Sequence, residues 1–147
     1  MITIAIGSDH AGFRYKQELA LFLTENGYKI QDVGTYSLDS VDYPDFAAAV
    51  ARSVADGEVE YGVLVCGSGI GVAITANKVV GVRAANCQTE EMARLARQHN
   101  NANVITVGER LVSLDAAKSI VQAFLATPFE GGRHEKRVEK IHALTGC

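Results

Sequence analysis

Residues 63–78 read VLVCGSGIGVAITANK. A β-branched apolar run ends on Cys66, glycines alternate at positions 67, 69 and 71, and a nearly all-apolar segment of helical length begins at once. A short apolar run closed by a glycine turn reads as a buried strand, and the apolar segment after the turn reads as a helix, so the stretch is half of a βα unit. The same alternation recurs on both sides. Strand-like runs fall at Ile2–Ile6, Lys29–Val33, Tyr61–Cys66, Val82–Ala85 and Val104–Val107. Helix-like segments fall at Phe13–Asn26, Pro44–Asp56, Gly69–Lys78, Thr89–Asn100 and Leu114–Leu125, with a tail helix at Arg133–Leu144. In the fifth of these, Ala117, Ile120, Val121, Phe124 and Leu125 share one helical face. Regular alternation predicts an α/β fold: a Rossmann-like three-layer α/β/α sandwich with a five-stranded parallel sheet and a C-terminal tail helix.

Composition bounds what such a fold does here. The chain has 147 residues, 48% of them hydrophobic and only two of them proline, which suits one domain over 1–147 with a self-supporting core. A net charge of −3 provides no global basic field, which argues against binding a nucleic-acid backbone or an anionic membrane. Cys66, Cys87 and Cys147 are odd in number and widely spaced, without metal-ligand pairing or a disulfide framework, and this suits a reducing compartment. The opening MITIAIGSDH has no basic leader, and its apolar run is too short for a signal peptide or a membrane span. The expected location is the cytoplasm.

Ligands of open α/β sheets bind beyond the carboxyl ends of the strands, at the topological switch point. Ser8-Asp9-His10-Ala11-Gly12 follows the first strand, Asp42-Tyr43-Pro44-Asp45 lies in the loop after the second, Cys66 to Gly71 follows the third, and Gly108-Glu109-Arg110 follows the fifth. Asp9 reads equally as a helix cap or a functional carboxylate, and Asp45 reads first as a cap. Cys66 has two readings as well. A buried cysteine is commonly a small hydrophobe. One set against a nest of glycine amides and a helix N-terminus is a candidate base or nucleophile, because that field favours the thiolate, and the nest itself suits a phosphate or a transient oxyanion.

Familiar uses of such a loop can be tested against the letters. A dinucleotide fingerprint needs glycine or alanine where Val72 stands, and an acidic residue ending the next strand, where the chain has Ala84-Ala85-Asn86. A cysteine phosphatase needs an arginine at the Val72 position. A Cys-His-Asn hydrolase can be assembled from Cys66, His99 and Asn100, though the flanking papain-type signature is missing.

The motifs GSDHAGF at 7–13, DYPD at 42–45, CGSGIG at 66–71, ANK at 76–78, GVRA at 81–84, RQHN at 97–100 and EGGRHEKR at 130–137 cover nearly the whole chain. Together they resemble the family of type B ribose-5-phosphate isomerases, which also includes allose-6-phosphate and galactose-6-phosphate isomerases. Many members carry threonine where Ser68 stands, and some place a glutamate base at the Val72 position, which leaves Cys66 as the base this loop offers. The resemblance implies an aldose–ketose isomerase working through an enediolate, with Cys66 as base and the amides of Gly67, Ser68, Gly69, Ile70 and Gly71 as oxyanion donors. It also implies that His99 opens the sugar ring, that Asp9 and Asn100 hold hydroxyls, and that His10, Arg110, Arg133 and Arg137 hold the phosphate. It implies no metal or cofactor, a small sugar phosphate as substrate, and a homodimer or dimer of dimers with sites shared between subunits. A non-isomerase sugar-phosphate binder of the same fold remains the alternative from another function class.

Two readings come from spacing. Arg133 and Arg137 are i and i+4 on the tail helix, so their like charges repel unless an anion lies between them, and a solvated face neutralised by Glu130 and Glu139 is the equal alternative. His134 and His142 read as helix-surface residues. His99 closes the fourth helix, which returns to the amino edge of the sheet, whereas Cys66 ends a strand at the carboxyl edge. Five strand residues put roughly 17 Å between those edges. A catalytic His99 must then come from a second subunit. Otherwise it is an interior histidine following Met92, Leu95 and Ala96 at helical spacing.

Overall fold

A computed structural model describes residues Met1–Cys147. The strands are β1 (Thr3–Ser8), β2 (Lys29–Gly34), β3 (Tyr61–Cys66), β4 (Ala84–Asn86) and β5 (Val104–Gly108). The helices are α1 (Phe13–Glu25), α2 (Tyr43–Ala55), α3 (Ile70–Ala76), α4 (Glu90–Asn100), α5 (Leu114–Ala126) and α6 (Arg133–Thr145), and a 3₁₀ turn at His10–Gly12 precedes α1. All strand pairs are parallel, in the order β2-β1-β3-β5-β4. The chain therefore has the expected Rossmann-like α/β fold, including the C-terminal helix.

Each strand presents alternate residues to opposite faces, so the sheet divides the core into two. Ile4, Ile6, Val63, Val65, Ile105 and Val107 pack with Leu19 and Leu23 of α1, Ala93 and Ala96 of α4, and the α5 stripe ending at Leu125. Ala5, Leu64, Cys66 and Val104 pack on the other face with Val50 and Val54 of α2 and Val72 of α3. Helix α6 lies outside these layers and packs against α4. Strand β4 is shorter than its β-branched letters predict. The side chain of Asn103 takes the N–H of Arg83 at 2.8 Å, and strand pairing begins only at Ala84.

Two cations brace the layers. Lys16 of α1 is 1% exposed and sets its ammonium 2.7 and 2.6 Å from the two carboxylate oxygens of Asp32 on β2, over the rings of Phe13 and Tyr36. Arg97 of α4 is also buried. Its guanidinium donates to the carbonyls of Thr127 and Ala102 and to Asn101 Oδ1, and it lies over Tyr61 and Phe124. That fork fixes the end of α4 against the start of β5 and the end of α5, and lysine could not reproduce it.

Chain direction sets the switch point. β1 leads through α1 outward to β2, while β3 leads through α3 over β5 to β4, so the loops after these neighbouring strands diverge and leave a crevice between them. Removing one partner of a buried pair strands the other charge, at a cost of about 3–5 kcal/mol. Asp32 is one-third exposed, so Asp32→Ala is expected to destabilise the chain by about 2 kcal/mol in urea unfolding. Lys16→Met, which leaves no buried charge, is expected to cost less; the reverse order would contradict the brace.

Candidate active site

The crevice between β1 and β3 holds a cavity of about 330 Å³ lined by Asp9, His10, Ala11, Tyr43, Cys66, Gly67, Ser68, Gly71, Arg110 and Leu111. Seven of these are candidate residues from the sequence: Asp9, His10, Cys66, Gly67, Ser68, Gly71 and Arg110.

The loop after β3 turns because Gly69 takes φ +77°, a left-handed conformation that residues with a Cβ adopt only under strain, and a Cβ there would sit 2.4 Å from Asn86 Oδ1. Its N–H then donates to the Cys66 sulfur at 3.2 Å. The Ile70 N–H donates to Ser68 Oγ at 3.1 Å. Two of the five loop amides expected to face an oxyanion are thus already engaged, one of them by the Cys66 sulfur. Neither Gly69 nor Ile70 lines the cavity. Arg110 is fixed by its backbone, whose N–H donates to Gly67 O at 3.0 Å, and its guanidinium lies over Gly67.

Asp9 caps the 3₁₀ turn, accepting from the N–H groups of Ala11 and Gly12 at 3.0 and 3.1 Å through one carboxylate oxygen, while its residue also lines the cavity. Both readings of Asp9 are compatible with this placement, because one carboxylate has two oxygens. Asp45 lies in the first turn of α2 without serving as its N-cap residue. His10 Nδ1 accepts from the Val41 N–H at 3.1 Å, so a neutral ring carries its proton on Nε2 and is a donor there. Sequence reasoning gave Tyr43 no role, yet it lines the cavity, and a Cβ on Gly71 would meet its ring at 2.6 Å. The signal was Tyr-Pro at a helix start, since proline in the first turn fixes where that helix begins.

His99, Asn100, Arg133 and Arg137 do not line this cavity. Asn100 borders a separate cleft of about 730 Å³ with Arg83, Ile141 and His142, at the amino side of β4 and β5. His99 stacks on His134, with ring centroids 4.4 Å apart and planes 12° from parallel, and both Nε2 atoms face Glu130. His134 is not a surface residue as its spacing suggested. It is 8% exposed, and burial, with His99 and Arg133 adding to it, lowers its pKa. His142 is half-buried, its Nε2 2.9 Å from Arg83. Burial pushes the Cys87 thiol up to about 11, which leaves it inert at neutral pH.

Residues 4–141 match the model of the ribose/galactose isomerase family. Ribose-5-phosphate isomerase B of Escherichia coli strain K12 is 49% identical over 98% of this chain and 97% of its own. The solved structure of ribose-5-phosphate isomerase B from Clostridium thermocellum superposes with a TM-score of 0.97 at 49% identity, covering 99% of this chain and 98% of that one. A structure of the Mycoplasma genitalium enzyme with bound ribulose-5-phosphate superposes at 0.94 and 42% identity, covering 98% and 96%. The chain belongs to the ribose/galactose isomerase family.

Proposed function

We propose that the chain is a sugar-phosphate aldose–ketose isomerase interconverting ribose 5-phosphate and ribulose 5-phosphate, with residues 1–147 acting as one isomerase domain. The observation that carries this reading is a thiol on the rim of a glycine loop, hydrogen-bonded to the Gly69 N–H, in one cavity with the carboxylate of Asp9, the imidazole of His10 and the guanidinium of Arg110. Moving a proton between two carbons needs one base near both and donors for the oxygen that gains charge. The Cys66 thiolate takes the C2 proton of the open-chain aldose, and the electron pair moves into an enediolate. The thiol then returns a proton to C1 while the proton on O2 passes to O1, giving the 2-ketose. The loop amides free to point at the substrate, with the Ser68 hydroxyl, stabilise the oxyanion. Arg110 and the His10 Nε2–H bind the phosphate, and the second oxygen of Asp9 accepts from a hydroxyl.

Ring-form substrate must open before this chemistry. His99 carries out that step, protonating the ring oxygen and accepting the anomeric proton, with Asn100 holding a hydroxyl and Arg133 and Arg137 completing the phosphate site. These four lie away from the Cys66 cavity of their own chain, so a second copy supplies them, in a homodimer with shared sites. Ile70 and Ile74 on α3 and Leu111 at the cavity rim leave apolar surface exposed for that partner. No helix is long and apolar enough to cross a membrane, and the three unpaired cysteines suit a reducing compartment such as the cytoplasm.

Two measurements test this. In a coupled assay, kcat/KM for ribose 5-phosphate is expected to exceed that for allose 6-phosphate by roughly tenfold or more, the discrimination one extra carbon permits. A reversed preference would favour the six-carbon reading, and no turnover of either would leave a non-isomerase binder. For the shared site, inactive Cys66→Ala and His99→Asn proteins are unfolded and refolded together in equal amounts. About half the dimers should be mixed, each with one site holding both native residues, so roughly a quarter of wild-type activity should return. An inactive mixture in which mass spectrometry shows mixed dimers would contradict sharing.

A further inference from the structure

His99, Glu130 and His134 each bring a ligand atom to within 4.8 Å of the other two, outside the Cys66 cavity. The two imidazole Nε2 atoms lie 3.6 and 3.5 Å from the same Glu130 oxygen. Those separations exceed the N–H···O range of about 2.7–3.2 Å, so no hydrogen bond accounts for the grouping. They are close to the spacing of about 3.3 Å that neighbouring donors adopt around a tetrahedral metal bound at about 2.0–2.1 Å.

The backbone builds the cluster in advance. The Glu130 N–H donates to the carbonyl of Gln98, next to His99, at 3.1 Å, which ties the loop to the end of α4. Gly131 and Gly132 take φ of +68° and +56° and reverse the chain, and the His134 N–H closes the turn on Gly131 O at 3.1 Å. His134 is thereby laid on the His99 ring with both Nε2 atoms turned to one carboxylate. Two imidazoles and a carboxylate with an open fourth position form a donor set that zinc accepts.

The geometry points to a binding site for a late first-row divalent metal, Zn²⁺ above all, formed by His99 Nε2, His134 Nε2 and a Glu130 carboxylate oxygen, whose occupancy inhibits the enzyme. Arg133 and Arg137 act on His134 with the sign that opposes a cation. Selection therefore rests on imidazole as a donor rather than on charge, which favours Zn²⁺, Co²⁺ and Ni²⁺ over Mg²⁺ and Ca²⁺. Inhibition rests on the proposed role of His99: a metal on Nε2 occupies the lone pair that ring opening uses.

Binding is read separately from activity. Metal-free protein is titrated with Zn²⁺ by calorimetry and with Co²⁺ by visible absorption. The wild type is expected to bind one Zn²⁺ per chain, with a Co²⁺ spectrum lacking a thiolate charge-transfer band. His134→Gln and Glu130→Gln, checked for folding by circular dichroism, should each weaken binding by roughly tenfold or more, whereas His142→Gln should not. Equal Zn²⁺ affinity in wild type, His134→Gln and Glu130→Gln, or a thiolate band, would overturn the site. Zn²⁺ should also inhibit turnover of ring-form substrate, reversibly on adding a chelator, and His134→Gln should need roughly tenfold more Zn²⁺ for the same fractional loss of its own metal-free rate. Binding at these residues without inhibition would overturn the regulatory claim. Loss of the isomerase reading itself would show separately, as metal-free protein inactive on ribose 5-phosphate.

Discussion

The rest of the site depends on the turn at Gly69. A left-handed residue with no Cβ lets the chain leave β3 and start α3 within a few residues, and it aims the Gly69 N–H back at the Cys66 sulfur. Side chains from two other strands hold the turn. Thr106 of β5 donates its hydroxyl to Gly69 O at 2.7 Å, and Asn86 of β4 reaches the same glycine closely enough to exclude a Cβ. The thiol's position is thus set by three strands at once, and the loop is part of the sheet's packing rather than an appendage to it. The crevice beside it follows from the diverging connections after β1 and β3, so fold and site have a common cause.

A second consequence concerns the distribution of charge. One chain gathers Cys66, its glycine loop, Asp9, His10 and Arg110 at the carboxyl edge of its sheet. It holds His99 and Asn100 at the end of α4, which Arg97 braces, and Arg133 and Arg137 on α6, which packs against α4. That buried guanidinium binds two carbonyls and a side-chain oxygen, so the end of α4 is a rigid platform. Under the proposed sharing of sites between two chains, such a platform keeps its residues organised before the counterpart arrives.

Much of this was legible in the sequence. Apolar runs of strand length alternating with amphipathic segments gave the fold class, because side-chain periodicity reports directly which face is buried. The Cys66 loop was legible because glycines at 67, 69 and 71 mark a tight, closely approached turn, with the left-handed residue at Gly69 and the side chains of Arg110 and Tyr43 against Gly67 and Gly71. The Lys16–Asp32 pair was not, since nothing in the local pattern of α1 says that a lysine on it will be covered by a neighbouring strand. The burial of Arg97 was not legible either, since Tyr61, Phe124, Ala102 and Thr127, which receive it, lie outside α4. His134 was misplaced for a related reason: helical spacing assigns faces, but only the Gly131–Gly132 turn decides that α6 brings this face against α4. The truncated β4 depends on a side chain, Asn103, competing for a backbone N–H, which strand propensity does not encode.

The central claim is that the Cys66 thiolate carries the proton between C1 and C2. Its most direct test is hydrogen exchange in D₂O, followed by NMR on ribose 5-phosphate with wild type and Cys66→Ala, alongside calorimetric binding of the same sugar phosphate. The wild type should incorporate deuterium at the exchanging carbons. The variant should incorporate none while binding within roughly tenfold of wild type, since the base acts on the reacting carbon and contributes little to ground-state affinity. Deuterium entering at the wild-type rate with the thiol gone would contradict the account.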